Sequence, residues 1–180
     1  MTGEPAKELS ESLLRLVRDV PDYPKPGIVF KDITPLLGDG TAFSQVIDTI
    51  AALGRAQRVD AVVGIEARGF IIAAPVAYAL GVGFVPIRKE GKLPGRTHAR
   101  EYALEYGEAV LEVHEDAFAA GARVLVVDDV LATGGTAAAA EHLVAMAGGQ
   151  VTGFAFLMEL AFLGGRSLLP ATSVDVLLTV

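Results

Sequence analysis

Apolar positions along this chain come first at helical spacing and later in short unbroken runs, and that change of rhythm predicts its architecture. In residues 6–20, Leu9, Leu13, Leu16, Val17 and Val20 keep a three-four spacing that predicts one amphipathic helix. Residues 20–27 (VPDYPKPG) carry three prolines and a glycine, which predict a break in all regular structure. After an apolar stretch at 28–33, Phe43, Val46, Ile47, Ile50 and Leu53 return to helical spacing, with Thr41 placed as the N-cap. From residue 59 onward the pattern becomes strand, turn, helix, repeated. A strand at 59–65 leads into a helix at 70–80, and one at 83–87 leads into a polar loop of glycine and proline. A strand at 123–127 leads into a helix at 136–147, and one at 152–159 into a short helix near 162–169. A strand at 174–180 closes the chain.

Continuous apolar strands alternating with helices imply a mostly parallel sheet covered on both faces. Residues 100–113 differ: two short runs flank Tyr106-Gly107-Glu108, the pattern of a β-hairpin or flap projecting from the sheet. The expected fold is therefore a single three-layer α/β domain over residues 1–180, with an N-terminal hood at 1–34 and a lid with its hairpin at 88–113. Ligands of such sheets bind beyond the carboxyl ends of the strands. Asp128, Ala67-Arg68 and Arg88 all fall at such ends, so three separated segments are expected at one edge.

Composition narrows the class without naming a chemistry. The 180 residues are 52% apolar and 21% charged, as in a globular cytosolic protein. There is no cysteine, which excludes disulfides and thiolate zinc sites. The acidic N-terminus does not read as a secretory signal, and the longest apolar stretch, 70–85, is too short and glycine-interrupted to span a bilayer. A net charge of −7 argues against general nucleic-acid binding, so local groups must attract any anionic substrate against the global field.

The candidate chemistry concentrates in residues 124–136 (VLVVDDVLATGGT). An apolar β-branched run ends in Asp128 and Asp129, which at a strand end can grip sugar hydroxyls and, directly or through water, a divalent cation. Ala132, Thr133, Gly134, Gly135 and Thr136 then form a turn opening onto a helix. Its backbone N–H groups, hydroxyls and helix dipole suit a phosphate. Alone, an Asp-Asp pair is more often a cap or turn and a Gly-Gly pair a simple breaker. The whole thirteen-residue arrangement describes a pocket for a ribose carrying a 5′-phosphate. It is not a P-loop, since no lysine follows the glycines, and not a dinucleotide fingerprint, since the acids come first.

This segment resembles the phosphoribosyl pyrophosphate (PRPP) signature of the type I phosphoribosyltransferases. Residues 23–34 (YPKPGIVFKDIT), 66–70 (EARGF), 87–95 (IRKEGKLPG) and 102–107 (YALEYG) stand in the order found in the adenine-using branch of that family. The resemblance runs from about residue 22 to the C-terminus. It implies the family's α/β fold with hood and flexible lid, and a reaction in which adenine displaces pyrophosphate from C1 of PRPP to give AMP. It implies Mg²⁺ held mainly by substrate, with Asp128 and Asp129 contributing, and a cytoplasmic homodimer with lid residues near the partner's site. Neither nucleic acid nor membrane is an expected partner.

The resemblance also distributes roles. Asp128 and Asp129 hold the ribose hydroxyls, and Ala132 to Thr136 cradle the 5′-phosphate. Arg68, Arg88, Lys89 and Lys92 face the pyrophosphate. Without the resemblance, Arg68 would be a surface residue at a helix start and the Arg88–Lys92 cluster a solvated charge run. Glu105 takes the position of the family's Leu-Glu-Tyr-Gly glutamate and is the candidate for proton chemistry on the base; the alternative is an exposed hairpin residue. Val29, Phe30 and Lys31 receive the adenine ring by backbone hydrogen bonds and stacking. The family commonly has arginine at the position of Lys31, and lysine cannot reproduce a planar guanidinium, so backbone recognition carries that expectation. Glu66, Asp60 and Glu159 read as structural. His98, His114 and His142 share no metal-ligand spacing and read as structural or solvated.

Three other readings compete. One is a different base on the same scaffold, such as hypoxanthine-guanine, xanthine or orotate. The hypoxanthine branch generally has a lysine just after the strand that follows the signature, and residues 157–160 (LMEL) have none. Another is a non-catalytic PRPP-sensing regulator, for whose DNA-binding domain the 22 residues before Tyr23 are expected to leave no room. The last is a capping Asp-Asp in an unrelated α/β domain.

Overall fold

The computed structural model describes residues 4–103, 108–169 and 173–180. The chain divides into two compact units, Met1–Val46 and Ile47–Val180. The first contains α1 (Glu4–Leu14), β1 (Arg18–Pro21), β2 (Val29–Asp32), α2 (Thr34–Gly38) and the start of α3 (Gly40–Gln57).

The first helix is shorter than the apolar spacing predicts. It ends at Leu14, and residues 18–21, expected first in the helix and then in a break, form a strand antiparallel to β2. Cross-strand charge favours that pairing. Arg18 stands opposite Asp32 and Asp19 opposite Lys31, with Nη2–Oδ2 at 2.5 Å and Nζ–Oδ1 at 2.7 Å. Asp22 Oδ1 accepts from the Gly27 amide at 2.7 Å to close the connecting turn, where Gly27 has φ +88°. Thr41 is not the cap of α3. Asp39 Oδ1 accepts from the Thr41 and Ala42 amides at 3.0 and 2.9 Å, because a short carboxylate reaches both open donors of a first turn. The five-residue α2, with proline in its first turn, has no counterpart in the sequence reading.

The second unit is built on seven strands: β3 (Ala61–Ile65), β4 (Gly83–Lys89), β5 (Thr97–Ala103), β6 (Glu108–His114), β7 (Arg123–Leu131), β8 (Gln150–Glu159) and β9 (Ser173–Thr179). Their order is β5-β6-β4-β3-β7-β8-β9, parallel from β4 through β9 and antiparallel at the β5–β6 edge. The expected mostly parallel sheet is present, with α4 (Arg68–Leu80) and α5 (Gly135–Met146) packed on it. All of β3 is buried, as are Val124 to Val127 and the last seven residues of β8. These are the continuous apolar runs that a doubly covered sheet requires. At Gly64 a Cβ would lie 2.8 Å from both Ala73 Cβ and the Phe84 ring, so α4 rests directly on β3.

Two further expectations change. The hairpin does not merely project as a flap: β6 pairs with β4 through Arg88–Glu112 and Lys89–Leu111, making the hairpin the sheet's edge. The short helix near 162–169 is two 3₁₀ turns, Ala161–Leu163 and Gly165–Leu168, divided by Gly164 at φ +66°, which an α-helix cannot continue through. No helix among the described residues is long and apolar enough to cross a membrane.

Candidate active site

β7 runs four residues past its expected end because its partners stop at different places. The β3 ladder ends at Gly64–Val127, whereas β8 continues to pair through Val130–Met158 and Leu131–Glu159. Asp128 and Asp129 therefore sit where β7 has lost one neighbour and kept the other. The chain then turns at Ala132 to Gly134, with Gly134 at φ +86°, and enters α5. The first-turn amides of a helix have no partner within it, and the cap carbonyl of Gly134 already accepts from Ala138 at 3.0 Å. A cavity of about 50 Å³ lies here, lined by Asp128, Ala132, Thr133, Gly134 and Thr136 among others. Five predicted residues thus converge on one small space.

The start of α4 lies over the acid pair. Arg68 Nε is 2.7 Å from Asp129 Oδ2, a close ion pair without hydrogen-bonding alignment, and Asp129 is buried. The Asp129 amide donates to Asp128 Oδ1 at 2.9 Å. Burial first, and the neighbouring Asp129 charge second, push the Asp128 carboxyl well above the ordinary carboxylate range. Burial also raises Asp129, and the Arg68 guanidinium opposes that rise. Two adjacent acids with little water hold protons more tightly than either would alone. Among the described residues, no cluster of three or more His, Cys, Asp or Glu could enclose a metal.

Strand order brings the cationic segment to the same edge, since β4 is next to β3 with Ile87 opposite Ile65. Glu66 organises Arg88: its oxygens accept from Nε at 3.2 Å and Nη2 at 3.4 Å, and from the Lys89 amide at 3.0 Å. Partial burial raises the Glu66 carboxyl, but the Lys89 amide and the Arg88 guanidinium outweigh it and hold the group below its ordinary value. Arg88 Nη1 also donates to the Lys92 carbonyl at 2.9 Å, tying the loop to the strand end. Lys89 and Lys92 are exposed. Glu105 lies outside the described residues.

Val29, Phe30 and Lys31 lie in the other compact unit, on β2. Phe30 meets the Tyr23 ring edge-on at 5.3 Å. The Lys31 ammonium is engaged with Asp19, so its side chain serves the hairpin. His114 Nε2 lies 2.8 Å from the Pro94 carbonyl and His142 Nδ1 2.9 Å from that of Ala138, structural contacts in both cases. Sequence reasoning passed over Gly165 and Arg166, gave Gly69 no role of its own within the 66–70 segment, and read Glu159 as structural. Gly69 lies against Asp128, and the Gly165 backbone lies against the turn at 132–134. Glycine next to a motif was the available signal, and it identifies no partner.

The phosphoribosyl transferase domain family matches residues 37–169. An adenine phosphoribosyltransferase of Salinispora tropica is 60% identical over 178 residues, covering 99% of this chain and 95% of that protein. The crystal structure of adenine phosphoribosyltransferase from Thermoanaerobacter pseudethanolicus superposes with a TM-score of 0.91 at 49% identity, over 94% of this chain and 99% of that one. The Saccharomyces cerevisiae enzyme, solved with an imino-altritol bisphosphate and adenine, gives 0.89 at 39% identity, over 95% and 99%. The chain belongs to the phosphoribosyltransferase family. Within that family it falls among the adenine phosphoribosyltransferases.

Proposed function

We infer that the chain transfers the 5-phosphoribosyl group of PRPP to adenine, releasing pyrophosphate and forming AMP for purine salvage. The observation that carries this reading is the joining of Asp128 to the Ala132–Thr136 turn around one cavity, in a chain 60% identical to an adenine phosphoribosyltransferase. N9 of adenine bonds to C1 of the ribose as the C1–oxygen bond breaks. The bonding pair leaves with pyrophosphate, and the base gives up a proton.

The barrier lies in separating charge, positive on the ribose and negative on pyrophosphate, so the residues act by holding and orienting. In this reading the 132–136 turn fixes the 5′-phosphate, and Asp128 and Asp129 take the ribose hydroxyls. Arg68, Arg88, Lys89 and Lys92 meet the departing pyrophosphate. Glu105 moves the proton of the base, and the backbone around Val29 and Lys31, with Phe30, holds the adenine ring.

The acid pair suits Mg²⁺. Both are hard oxygen donors, and buried Asp129 Oδ2 accepts no hydrogen bond, its charge being met by the ion pair with Arg68. Bound with PRPP, the ion would neutralise pyrophosphate charge, with substrate oxygens supplying most of its ligands. Cation and ribose hydroxyls together would favour ionised Asp128. The reading extends to a cytoplasmic homodimer in which Arg88 serves the partner's site.

A Mg²⁺-dependent PRPP-consumption assay across adenine, hypoxanthine, guanine, xanthine, uracil and orotate tests it. Turnover with adenine alone is expected. Comparable turnover with a 6-oxopurine or a pyrimidine would refute the base assignment.

A further inference from the structure

Behind the phosphate turn stands a second layer of structure. Gly165 opens a 3₁₀ turn whose backbone lies against the loop. A Cβ on Gly165 would run into the Ala132 carbonyl oxygen and lie 2.7 Å from the Gly134 amide nitrogen and 2.8 Å from the Thr133 carbonyl carbon. The contact is reciprocal: a Cβ on Gly134 would meet the Gly165 carbonyl oxygen, with its carbon at 3.0 Å. The two backbones touch with room for hydrogen only.

The next residue anchors this turn. Arg166 donates from Nε to Glu159 Oε1 at 3.2 Å and from Nη2 to Glu159 Oε2 at 2.7 Å, a two-point grip that fixes the plane of the guanidinium. Nη1 donates to the Val174 carbonyl at 2.7 Å. Glu159 is buried and is the last residue of β8, paired with Leu131 at the end of β7. At the far end of the turn, Leu169 enters the core cluster that also holds Ala137 of α5. A buried carboxylate at a strand end is costly unless matched, and here its partner adjoins the glycine that touches the loop.

We propose that Arg166 is a positioning residue for phosphoribosyl binding: clamped to Glu159 and Val174, it presses the Gly165 backbone against residues 132–134 and sets where the turn's amides point. The inference rests on the phosphoribosyl reading of that turn and adds a residue to it. A bare glycine-rich turn at φ > 0 has many accessible shapes. A rigid wall on its outer side removes most of them before the phosphate arrives.

The test measures calorimetric affinity for ribose 5-phosphate, KM for PRPP and for adenine, and thermal stability in Arg166→Ala, Arg166→Lys and Gly165→Ala. Arg166→Ala should weaken ribose 5-phosphate binding and raise the PRPP KM by about ten- to a hundredfold, the scale on which a small misplacement acts. The adenine KM at saturating PRPP should stay within about threefold, a separation that a general loss of stability does not produce. Arg166→Lys should recover part of the loss, since it keeps charge without the two-point grip, and Gly165→Ala should reproduce it. Unchanged ribose 5-phosphate affinity in the folded variants would overturn the proposal. So would equal losses for both substrates that follow the fall in thermal stability. If wild-type protein binds ribose 5-phosphate but does not use adenine, the enzyme reading fails, and the binding comparison still decides the role of Arg166.

Discussion

Gly69 lies so close to Asp128 that a Cβ on the glycine would come within 2.5 Å of the carboxylate Oδ1 and 3.2 Å of the Val127 carbonyl oxygen. The first turn of α4 and the strand end carrying the acid pair thus share space that only a hydrogen can occupy. Gly69→Ala should force Asp128 to rotate or α4 to lift, destabilising the fold by about 1–3 kcal/mol. Turnover should fall roughly tenfold or more, because the carboxylate is then misplaced. Thermal denaturation and kcat/KM for PRPP check both, and two wild-type values would mean that the close approach has no consequence.

Asp128 itself should trade stability for function. Burial, with the Asp129 charge, raises its folded pKa above the ordinary 3.8. The folded chain therefore holds this proton more tightly than the unfolded chain. Below 3.8 both states are protonated and the group contributes nothing. As pH rises from 3.8 towards the raised folded value, the unfolded state ionises first and stability is lost. Asp128→Asn cannot ionise, so it should melt at a higher temperature than wild type at pH 8, with the gap shrinking as pH falls towards 4. Its turnover should drop by roughly a hundredfold, the scale of losing one preorganised contact to the transition state. Melting curves across pH 4–8 that show a less stable variant at pH 8 would contradict this account.

Glu105→Gln should lower kcat more than it weakens PRPP binding, by about 10²–10⁴-fold if the carboxylate carries the proton of the base. A loss under roughly threefold with an unchanged pH profile would make it an ordinary hairpin residue.

Lys31→Ala removes one exposed cross-strand ion pair with Asp19 and should cost about 0.2–1 kcal/mol. Its preference for adenine over hypoxanthine should survive if, as proposed, a backbone carbonyl accepts from the 6-amino group, since that carbonyl is present whatever side chain the residue carries. A 6-oxo group would face that carbonyl acceptor to acceptor, at about 1–3 kcal/mol. Phe30→Ala, by contrast, should raise the adenine KM. The kcat/KM for both bases in both variants decides. Loss of preference in Lys31→Ala with adenine use intact in Phe30→Ala would reverse the assignment.

Local chemistry made much of this protein legible in one dimension. The apolar runs at 59–65, 123–127 and 152–159 read as strands of a doubly covered sheet because they are short, largely β-branched or aromatic, and alternate with helical patterns. The order acid, acid, turn, helix is a local device, and the fold needed only to place it at a strand end. Tertiary structure decided whatever depends on which strand lies beside which. Residues 18–20 left their helical pattern because β2 offered two matching charges. β7 outran its expected end because β8 continued after β3 had stopped. Glycine at 69 and at 165, and the pairing of Glu159 with Arg166, acquire meaning only through neighbours in other segments. A side chain's periodicity records which face is buried; it carries no address for what that face, or a glycine's missing Cβ, will meet.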